Sequence, residues 1–287
     1  MAGMIAAYRF VINRYQRPLR GLRRSVRVAH LSDLHLGFWI QKGSLGAWVG
    51  ATNAEQPDLI VITGDLTDSA RHHQVLPSLP ALGALSAPLG IFAVWGNHDY
   101  RFSGYQIKDR ANLSPPPRGV SGLFDPPQKV PMIAPGELET PLRAAGLQIL
   151  HNQGVTVRDD LFLAGVDDFW HGEPDLERAL QGSSETSARL LLAHNPDYLY
   201  EVANSPVQPD FTLCGHTHGG QIVLGTYGPL FTSSSYGQKF AGGFVDDPVP
   251  AFVSRGLGVS VLPLRYRCDA ELVIFDFVPE QAGSDEQ

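Results

Sequence analysis

Short runs of consecutive apolar residues recur through the first hundred residues, and a cluster of polar residues follows each run. The runs RVAHL, LIVIT and IFAVW occupy residues 27–31, 59–63 and 91–95. Continuous rather than alternating apolar runs are typical of strands that are buried on both faces of a sheet. Between the runs, apolar positions recur at helical spacing in residues 45–52 and 75–85, which predicts two crossover helices. The pattern therefore predicts an α/β fold.

This regular pattern is interrupted over residues 101–136, which contain seven prolines and several glycines. A stretch of that length without periodicity is either a functional loop or locally disordered. Beyond it, Asp159 and Asp160 are predicted to form a hairpin turn. Further strands are predicted at residues 147–150, 156–157, 161–166, 190–193, 211–213, 221–224, 251–254 and 272–277, and helices at 137–145 and 175–180.

With 287 residues and 43% hydrophobic content, the chain is long enough to bury one full core. We therefore predict one catalytic domain over residues 26–278, which carries the proline-rich segment 101–136 as an insertion. A basic amphipathic arm over residues 1–25 precedes this domain. A polar tail over residues 279–287 follows it.

Charge is unevenly distributed along the chain. The first 30 residues hold seven arginines and no acidic residue, so the remainder has 15 basic residues against 29 acidic ones. A basic arm on an acidic body predicts contact with an anionic membrane, whereas the acidic body would repel nucleic acid. A merely solvated basic terminus is the alternative. No stable nucleic-acid partner is expected.

Cysteine content and hydropathy bound the location of the protein. Only Cys214 and Cys268 are present, which excludes a disulfide framework and a four-thiolate zinc site. No run approaches the roughly 20 apolar residues that a membrane span needs. We therefore predict a cytoplasmic protein, with peripheral contact at the inner membrane surface as an open alternative.

Metal-binding residue types follow five of the predicted strands, and open α/β sheets place their ligand sites at such strand ends. The five sequences are Ser32-Asp33-Leu34-His35, Gly64-Asp65-Leu66-Thr67-Asp68, Gly96-Asn97-His98-Asp99, His194-Asn195 and Gly215-His216-Thr217-His218. Taken singly, each is more often an ordinary turn or a buried histidine. Five of them in order, each after an apolar strand, predict a metal site.

The spacing and the residue types of these motifs restrict the chemistry. In the pairs Asp33/His35 and His216/His218, the i, i+2 spacing puts both side chains on one side of an extended segment. Carboxylate, imidazole and amide ligands without thiolate favour Mn, Fe, Zn, Co or Ni over Ca or Mg. A glycine before three of the motifs lets the backbone turn sharply and approach closely.

In this order, SDLH, GDLTD, GNHD, an isolated histidine and GHTH resemble the motifs of the calcineurin-like metallophosphoesterase superfamily. The motifs span residues 32–218, and LLAHNPD, CGHTHGGQI and VSRGLG extend the resemblance to about residue 275. These further segments are similar to the branch that contains YkuE-like and YaeI-like phosphodiesterases and a UDP-2,3-diacylglucosamine pyrophosphatase. The resemblance implies a four-layer α-β-β-α sandwich, with two mixed central sheets flanked by helices and the site at one edge.

The resemblance also implies a role for each motif residue. The implied ligands are Asp33, His35 and His218 for one metal and Asn97, His194 and His216 for the other, with Asp65 bridging them. His98 is then not a ligand, and it would stabilise or protonate the leaving oxygen. Asp68 would orient His98, and a helix N-cap is its alternative role. Substrate-binding residues are not indicated.

The implied cofactors are two divalent metal ions, manganese or iron first and zinc as an alternative. Two such ions about 3.5–4 Å apart can share a hydroxide that attacks phosphorus in line. The predicted function is therefore hydrolysis of phosphodiester or pyrophosphate bonds in a phosphodiester or nucleotide-type small molecule. The alternatives are a lipid-nucleotide pyrophosphatase of the UDP-2,3-diacylglucosamine type at the membrane surface, and a non-catalytic metal-binding scaffold.

Overall fold

The computed structural model describes residues 9–37, 39–40, 42–68, 75–102, 132–133, 135–260 and 262–280. These residues form sixteen strands and four α-helices. The strands are β1 (Phe10–Leu19), β2 (Val26–Leu31), β3 (Leu59–Thr63), β4 (Ile91–Val94), β5 (Arg101–Phe102), β6 (Met132–Ile133), β7 (Leu147–Ile149), β8 (Gln153–Arg158), β9 (Leu161–Gly165), β10 (Ala188–Leu192), β11 (Phe211–Cys214), β12 (Val223–Leu224), β13 (Gly228–Pro229), β14 (Gly243–Val245), β15 (Ala251–Val253) and β16 (Ala270–Pro279). The helices are α1 (Lys42–Ala54), α2 (Gly136–Ala144), α3 (Leu176–Ala179) and α4 (Leu199–Asn204).

Twelve of these strands form two six-stranded sheets. The first sheet has the order β1-β16-β2-β3-β4-β7, and the second has the order β14-β15-β11-β10-β9-β8. In the first sheet β2, β3 and β4 are parallel, and β16 is antiparallel to β2. In the second sheet β9, β10 and β11 are parallel, and β8 and β14 each pair antiparallel with a neighbour. Both sheets are therefore mixed.

Neighbouring residues of one strand pack into different layers, because side chains alternate across a sheet. Val28 packs with Leu190 in the apolar cluster between the two sheets. Ala29 instead packs with Trp48 of α1 in the cluster on the outer face of the first sheet. Leu191 packs into a third cluster with side chains of α3 and α4. The order helix, sheet, sheet, helix confirms the predicted four-layer sandwich.

The first predicted crossover helix is confirmed and the second is wrong in type. In α1 the buried residues are the four predicted from helical spacing, Leu45, Trp48, Val49 and Thr52. Within the described part of residues 75–85, the main element is a 3-10 helix over Leu79–Ala84. Its sequence contains a proline and a glycine, which both disfavour a longer α-helix. The apolar spacing of this segment therefore reflects which residues are buried and does not indicate an α-helix.

Residues 10–19, which fall in the predicted N-terminal arm, form β1 at the edge of the first sheet and pair in parallel with β16 over ten residues. Most arginines of this region have acidic partners in the body of the protein. The pairs are Arg14 with Glu55, Arg17 with Asp246, Arg20 with Asp210, Arg23 and Arg24 with Asp159, and Arg27 with Asp276. The uneven charge along the sequence is therefore partly balanced within the fold.

Several predictions fall on residues that the structure does not describe. Most of the predicted insertion over 101–136 lies outside the described residues, as do residues 1–8 and 281–287. Among the described residues, no helix has the length and apolar character needed to cross a membrane. The domain boundaries, the cytoplasmic location and the membrane contact stay predictions.

Candidate metal centre

The carboxyl ends of strands from both sheets meet at one edge of the sandwich, and the five motifs lie there. Backbone hydrogen bonds continue past the strand ends and hold the motif loops against one another. The Asp33 amide donates to the Gly64 carbonyl at 3.1 Å, and the Gly215 amide donates to the His194 carbonyl at 2.9 Å. The His216 amide donates to Asp33 Oδ1 at 3.0 Å, so the loop after β11 in the second sheet faces the loop after β2 in the first.

The predicted ligand residues fall into two groups that share one carboxylate. The first group is Asp33, His35, Asp65 and His218, and the second is Asp65, His194 and His216. Within each group the ligand atoms all lie within 4.8 Å of one another. Asn97 joins the second group, because its Oδ1 lies 3.1 Å from His194 Nε2 and 2.9 Å from His216 Nδ1. The structure thus brings all seven predicted ligand residues together.

The backbone at these residues is left-handed rather than extended, which corrects the predicted geometry. The angle φ is 52° at Asp33, 44° at His35, 50° at Asp65, 75° at His216 and 52° at His218. The paired side chains converge because the left-handed backbone curls around the site. The alternation of side chains along an extended strand does not bring them together. A non-glycine residue held in this region costs about 1–3 kcal/mol, and such strain is concentrated at functional sites.

Two of the motif glycines are required by close approach. A Cβ at Gly96 would overlap the Asp65 side chain, and a Cβ at Gly215 would overlap the side chains of Ser32 and Asp33. Neither glycine has a positive φ. Their lack of a side chain therefore lets neighbouring loops, rather than the turn itself, come close enough to bring the carboxylates together.

Backbone carbonyls orient two of the histidines. The Nδ1 of His194 donates to the Thr63 carbonyl at 2.7 Å, which leaves Nε2 facing Asn97. The Nε2 of His216 donates to the Ser233 carbonyl at 3.0 Å, which leaves Nδ1 facing the same amide. Such hydrogen bonds fix the tautomer of a metal-binding histidine. The donor set, buried and built of carboxylate, imidazole and amide, fits two divalent first-row ions.

The electrostatics of the second group depend on one imidazole next to one carboxylate. Burial works to lower the pKa of His194, but the Asp65 carboxylate outweighs it, and the pKa is raised to about 10. Burial works to raise the pKa of Asp65, but the charge of His194 holds it well below its usual range. Burial lowers the pKa of His216 to about 3, and the charge of His194 adds to this effect. A proton on His194 and a divalent cation therefore compete for the same nitrogen.

His98 and Asp68, the two predicted catalytic residues, lie beside the shared carboxylate. The His98 amide donates to Asp65 Oδ1 at 2.8 Å, and its side chain is 29% exposed. Its Nδ1 lies 4.0 Å from Asp68 Oδ1. Burial lowers the pKa of His98 to about 4, although the Asp65 carboxylate works in the opposite direction. His98 is therefore neutral near pH 7, and the roles of both residues stay predictions.

Asp99, the last residue of the GNHD motif, joins two motif loops. Its Oδ1 accepts hydrogen bonds from the Thr67 amide at 3.0 Å and the Thr67 hydroxyl at 3.2 Å. Its Oδ2 accepts from the Gly96 amide at 2.9 Å. Asp99 is fully buried, so it fixes the loop that carries Asn97 against the loop that carries Asp65.

The acidic turn after β9 faces the site. The Trp170 ring lies edge-on to the His216 ring, with 4.4 Å between the centroids. Asp168 accepts from the Trp170 amide at 2.9 Å, and burial raises the pKa of Asp168 to about 7. The Tyr100 hydroxyl donates to Asp167, which joins this turn to the end of the GNHD loop.

The metal-binding groups open into a cleft of about 380 Å³ with two unlike walls. Its lining includes Asp65, His98 and other residues of the motifs, and also a set of apolar residues, here called the apolar wall, that comprises Ile222, Phe231, Leu262 and Leu264. Phe231 and Leu262 on the apolar wall are 60% and 55% exposed. No charged residue occurs over positions 219–238, which supply part of that wall. The cleft can therefore hold a phosphate at one wall and an uncharged group at the other.

Sequence reasoning missed several residues that support the site. Trp170 has no motif spacing, and Ser233 acts through its backbone carbonyl, which no sequence pattern reveals. Asp197 lies three residues after His194, so its position in HNPD was an available signal. Arg265 is 1% exposed and contacts His218, yet in the sequence it lies in the segment LRYRCD, which holds none of the five motifs.

Comparisons with known proteins agree with this geometry. The family model described as calcineurin-like phosphoesterase matches residues 26–220. The uncharacterized metallophosphoesterase YkuE of Bacillus subtilis is 31% identical over 257 residues, which cover 87% of this chain and 78% of that protein. The UDP-2,3-diacylglucosamine pyrophosphatase LpxG of Chlamydia trachomatis is 29% identical, with 69% of this chain and 65% of that protein covered.

Two further matches are longer proteins. A Bos taurus transmembrane protein with a metallophosphoesterase domain is 31% identical, with 86% of this chain and 52% of that protein covered. The crystal structure of a 5'-nucleotidase precursor from Thermus thermophilus matches with a TM-score of 0.43 and 14% identity, covering 89% of this chain and 56% of that one. The chain thus spans about half to four fifths of the length of these relatives.

Metal uptake is expected to release a proton from His194. The raised pKa keeps His194 protonated in the chelated protein until about pH 10, and ligation requires the free nitrogen. Loss of this one proton makes the affinity for the metal in the second group rise about ten-fold per pH unit between pH 6 and 8. Calorimetric titration with Mn²⁺ in buffers of different ionisation enthalpy counts the protons. An affinity that does not change with pH over this range would contradict the prediction.

Proposed function

The chain belongs to the calcineurin-like phosphoesterase family, and from this we propose that it is a two-metal phosphoesterase that cleaves phosphodiester or pyrophosphate bonds. The observation that carries the proposal is the pair of buried ligand groups that share Asp65. A site for a single metal ion would need only one of these two ligand groups. The metal-binding scaffold is the weaker alternative, because the ligand groups open into a cleft that also holds His98.

Two divalent ions in these groups would lower the pKa of a shared water and neutralise charge on the phosphate oxygens. The residues of the chain then have separate tasks. Asp65 would hold both ions, while Asp33, His35 and His218 complete one ligand set. Asn97, His194 and His216 complete the other. Manganese is our first expectation for the metal, with iron and zinc as alternatives.

We assign to His98 the stabilisation of the leaving oxygen. Its position in the cleft supports this role, and its lowered pKa indicates that it acts as a neutral hydrogen-bond donor before any proton is transferred. The 4.0 Å separation from Asp68 is long for a hydrogen bond, so Asp68 orients the ring through its charge. Neither residue belongs to the metal-binding groups, so we expect these groups to stay intact when either residue is replaced.

The apolar wall of the cleft favours a second and narrower candidate, a phosphoester that carries an apolar chain. Phe231, Leu262 and Leu264 line the same cleft as the metal-binding residues. The relative LpxG is named as a pyrophosphatase for UDP-2,3-diacylglucosamine, a nucleotide with acyl chains. Activity on a lipid nucleotide at a membrane surface is therefore the substrate proposal that this wall supports.

The first test is hydrolysis of bis(p-nitrophenyl) phosphate and p-nitrophenyl phosphate by chelated protein that has been reloaded with Mn²⁺. We expect metal-dependent cleavage of the diester, and no cleavage by Asp65→Ala, because that variant lacks the carboxylate common to both groups. Two bound metals without turnover of either ester would leave the scaffold or a narrowly specific pyrophosphatase. Failure to bind metal would overturn the proposal.

Replacement of His98 by Gln should lower kcat by about 10²- to 10⁴-fold, because a positioned acid or donor contributes that much to such a reaction. KM and the metal content should stay close to those of the wild type. Asp68→Asn should give a smaller loss in kcat in the same direction. Equal kcat values for wild type and His98→Gln at saturating diester would show that His98 has no catalytic role.

Leu262→Ala should reduce the preference of the enzyme for a long-chain ester. Burial of the exposed half of this side chain against a substrate chain contributes about 1 kcal/mol, or roughly five-fold in kcat/KM. The measurement compares dodecyl p-nitrophenyl phosphate with methyl p-nitrophenyl phosphate. Leu224→Ala is the matched control, since Leu224 is 40% exposed but does not line the cleft. An equal loss on both esters would argue against a chain-binding wall.

A further inference from the structure

Two buried charged side chains without a partner of opposite charge lie behind the metal centre. Asp197 is 3% exposed and Arg265 is 1% exposed. Among the described residues, neither forms an ion pair, and both are held by neutral groups. A buried charge of this kind is costly unless it is fully hydrogen-bonded, so each must have a structural or functional reason.

Asp197 fixes the loop that orients His216. One carboxylate oxygen accepts from the Ser234 hydroxyl at 2.5 Å, and the other accepts from the Ser235 amide at 2.8 Å. The preceding residue, Ser233, has a φ of 54° and offers its carbonyl to His216 Nε2 at 3.0 Å. The Asp197 carboxylate therefore holds the loop in which Ser233 has its left-handed conformation. In this position the Ser233 carbonyl accepts from His216 Nε2, and His216 Nδ1 is left facing the second ligand group.

Arg265 fixes the loop that packs against Asp33 and the segment that carries His218. Its guanidinium donates to the Arg255 and Gly258 carbonyls, both at 2.7 Å from Nη2, and to the His218 carbonyl at 3.3 Å. Weaker contacts reach the Gly256 and Cys268 carbonyls, the Cys268 thiol and His218 Nδ1.

The loop that Arg265 holds lies directly against Asp33. The Gly258 amide donates to the Asp33 carbonyl at 2.7 Å. Gly256 has a φ of 70°, and a Cβ added there would lie 2.7 Å from the Asp33 Cβ. Arg265 thus acts on two residues of the first ligand group, on His218 directly and on Asp33 through the loop. Among the described residues it contacts neither His194 nor His216 of the second group.

We propose that Asp197 and Arg265 are positioning residues, Asp197 for the second ligand group and Arg265 for the first. The proposal rests on the two-metal function proposed above. Neither side chain lines the cleft, so neither touches the substrate. Each acts on one metal through a loop, and the two metals are positioned by separate parts of the fold.

The test measures metal content rather than turnover. Chelated wild type, Asp197→Ala and Arg265→Met are dialysed against limiting Mn²⁺, and bound Mn²⁺ is counted and examined by electron paramagnetic resonance. We expect two coupled ions in the wild type and one uncoupled ion in each variant, since loss of a group that orients a ligand lowers metal affinity by about 10- to 100-fold.

A second substitution locates the remaining ion. In Asp197→Ala, a further His35→Ala change should remove it, and a further His194→Ala change should not. In Arg265→Met the outcome should be reversed. Loss of both ions from either variant, retention of both, or the same response to both second substitutions would overturn the proposal.

Matched controls separate positioning from general destabilisation. The buried Asp160 and the partly buried Arg158 form an ion pair with a 2.5 Å contact at the β8–β9 hairpin, away from the site. Asp160→Asn and Arg158→Met should keep two coupled ions, and one ion in either control would count against the proposal. Should Asp197→Ala or Arg265→Met not fold, Asp197→Asn and Arg265→Lys take their place, and the same asymmetry is required. Wild type that binds two ions without turnover of either nitrophenyl ester would leave the scaffold or a narrowly specific pyrophosphatase, and the variant pattern would still decide this inference.

Discussion

The position of the Asp65 carboxylate is the constraint on which the rest of the site depends. One of its oxygens accepts from the His98 amide, and the other lies 3.3 Å from both His35 and His194. His35 follows a strand of the first sheet, and His194 follows a strand of the second. A single carboxylate can touch both only if the two sheets pack face to face with their carboxyl ends at a common edge. The apolar cluster between the sheets therefore sets the distance between the two ligand groups.

The same convergence explains why the site is locally unfavourable for stability. Five ligand residues have left-handed backbone, and several acids and imidazoles are buried side by side. Strain of this kind persists only where the surrounding structure determines it. Here the surrounding structure consists of parallel strands that are fully buried, glycines that permit close approach at Gly96 and Gly215, and hydrogen bonds such as those of Asp99. The metal ions would remove much of the repulsion among the buried acids, so metal binding and the stability of this edge are coupled.

The strands and the motifs were predictable from the sequence because both are local. A run such as LIVIT is buried on both faces, and the GDLTD motif that follows it needs no distant partner to be recognised. The left-handed conformation of Asp33 and His35 was not predictable, because spacing alone does not distinguish a curled segment from an extended one. β1 was missed because polar residues, among them Arg14 and Arg17, interrupt its apolar residues, and because its pairing with β16 joins opposite ends of the chain. Arg265 was missed because its partners are mainly backbone carbonyls, such as those of Arg255 and Gly258, and no sequence pattern indicates such contacts.

The two walls of the cleft explain why the reaction is easier to infer than the substrate. The metal-binding wall is built from strand ends, whose positions are fixed by the core of both sheets. The apolar wall comes from loops joined by the contact between Ile222 and Tyr266, which lies beyond the strand ends. Changes in exposed side chains of these loops, such as Leu262, would alter the group that the cleft accepts, whereas the backbone of the same loops also supports the metal ligands through Ser233 and Arg265. Proteins with the same motifs can therefore share the chemistry at phosphorus and differ in substrate, and the residues that select the substrate of this chain are to be sought on the apolar wall.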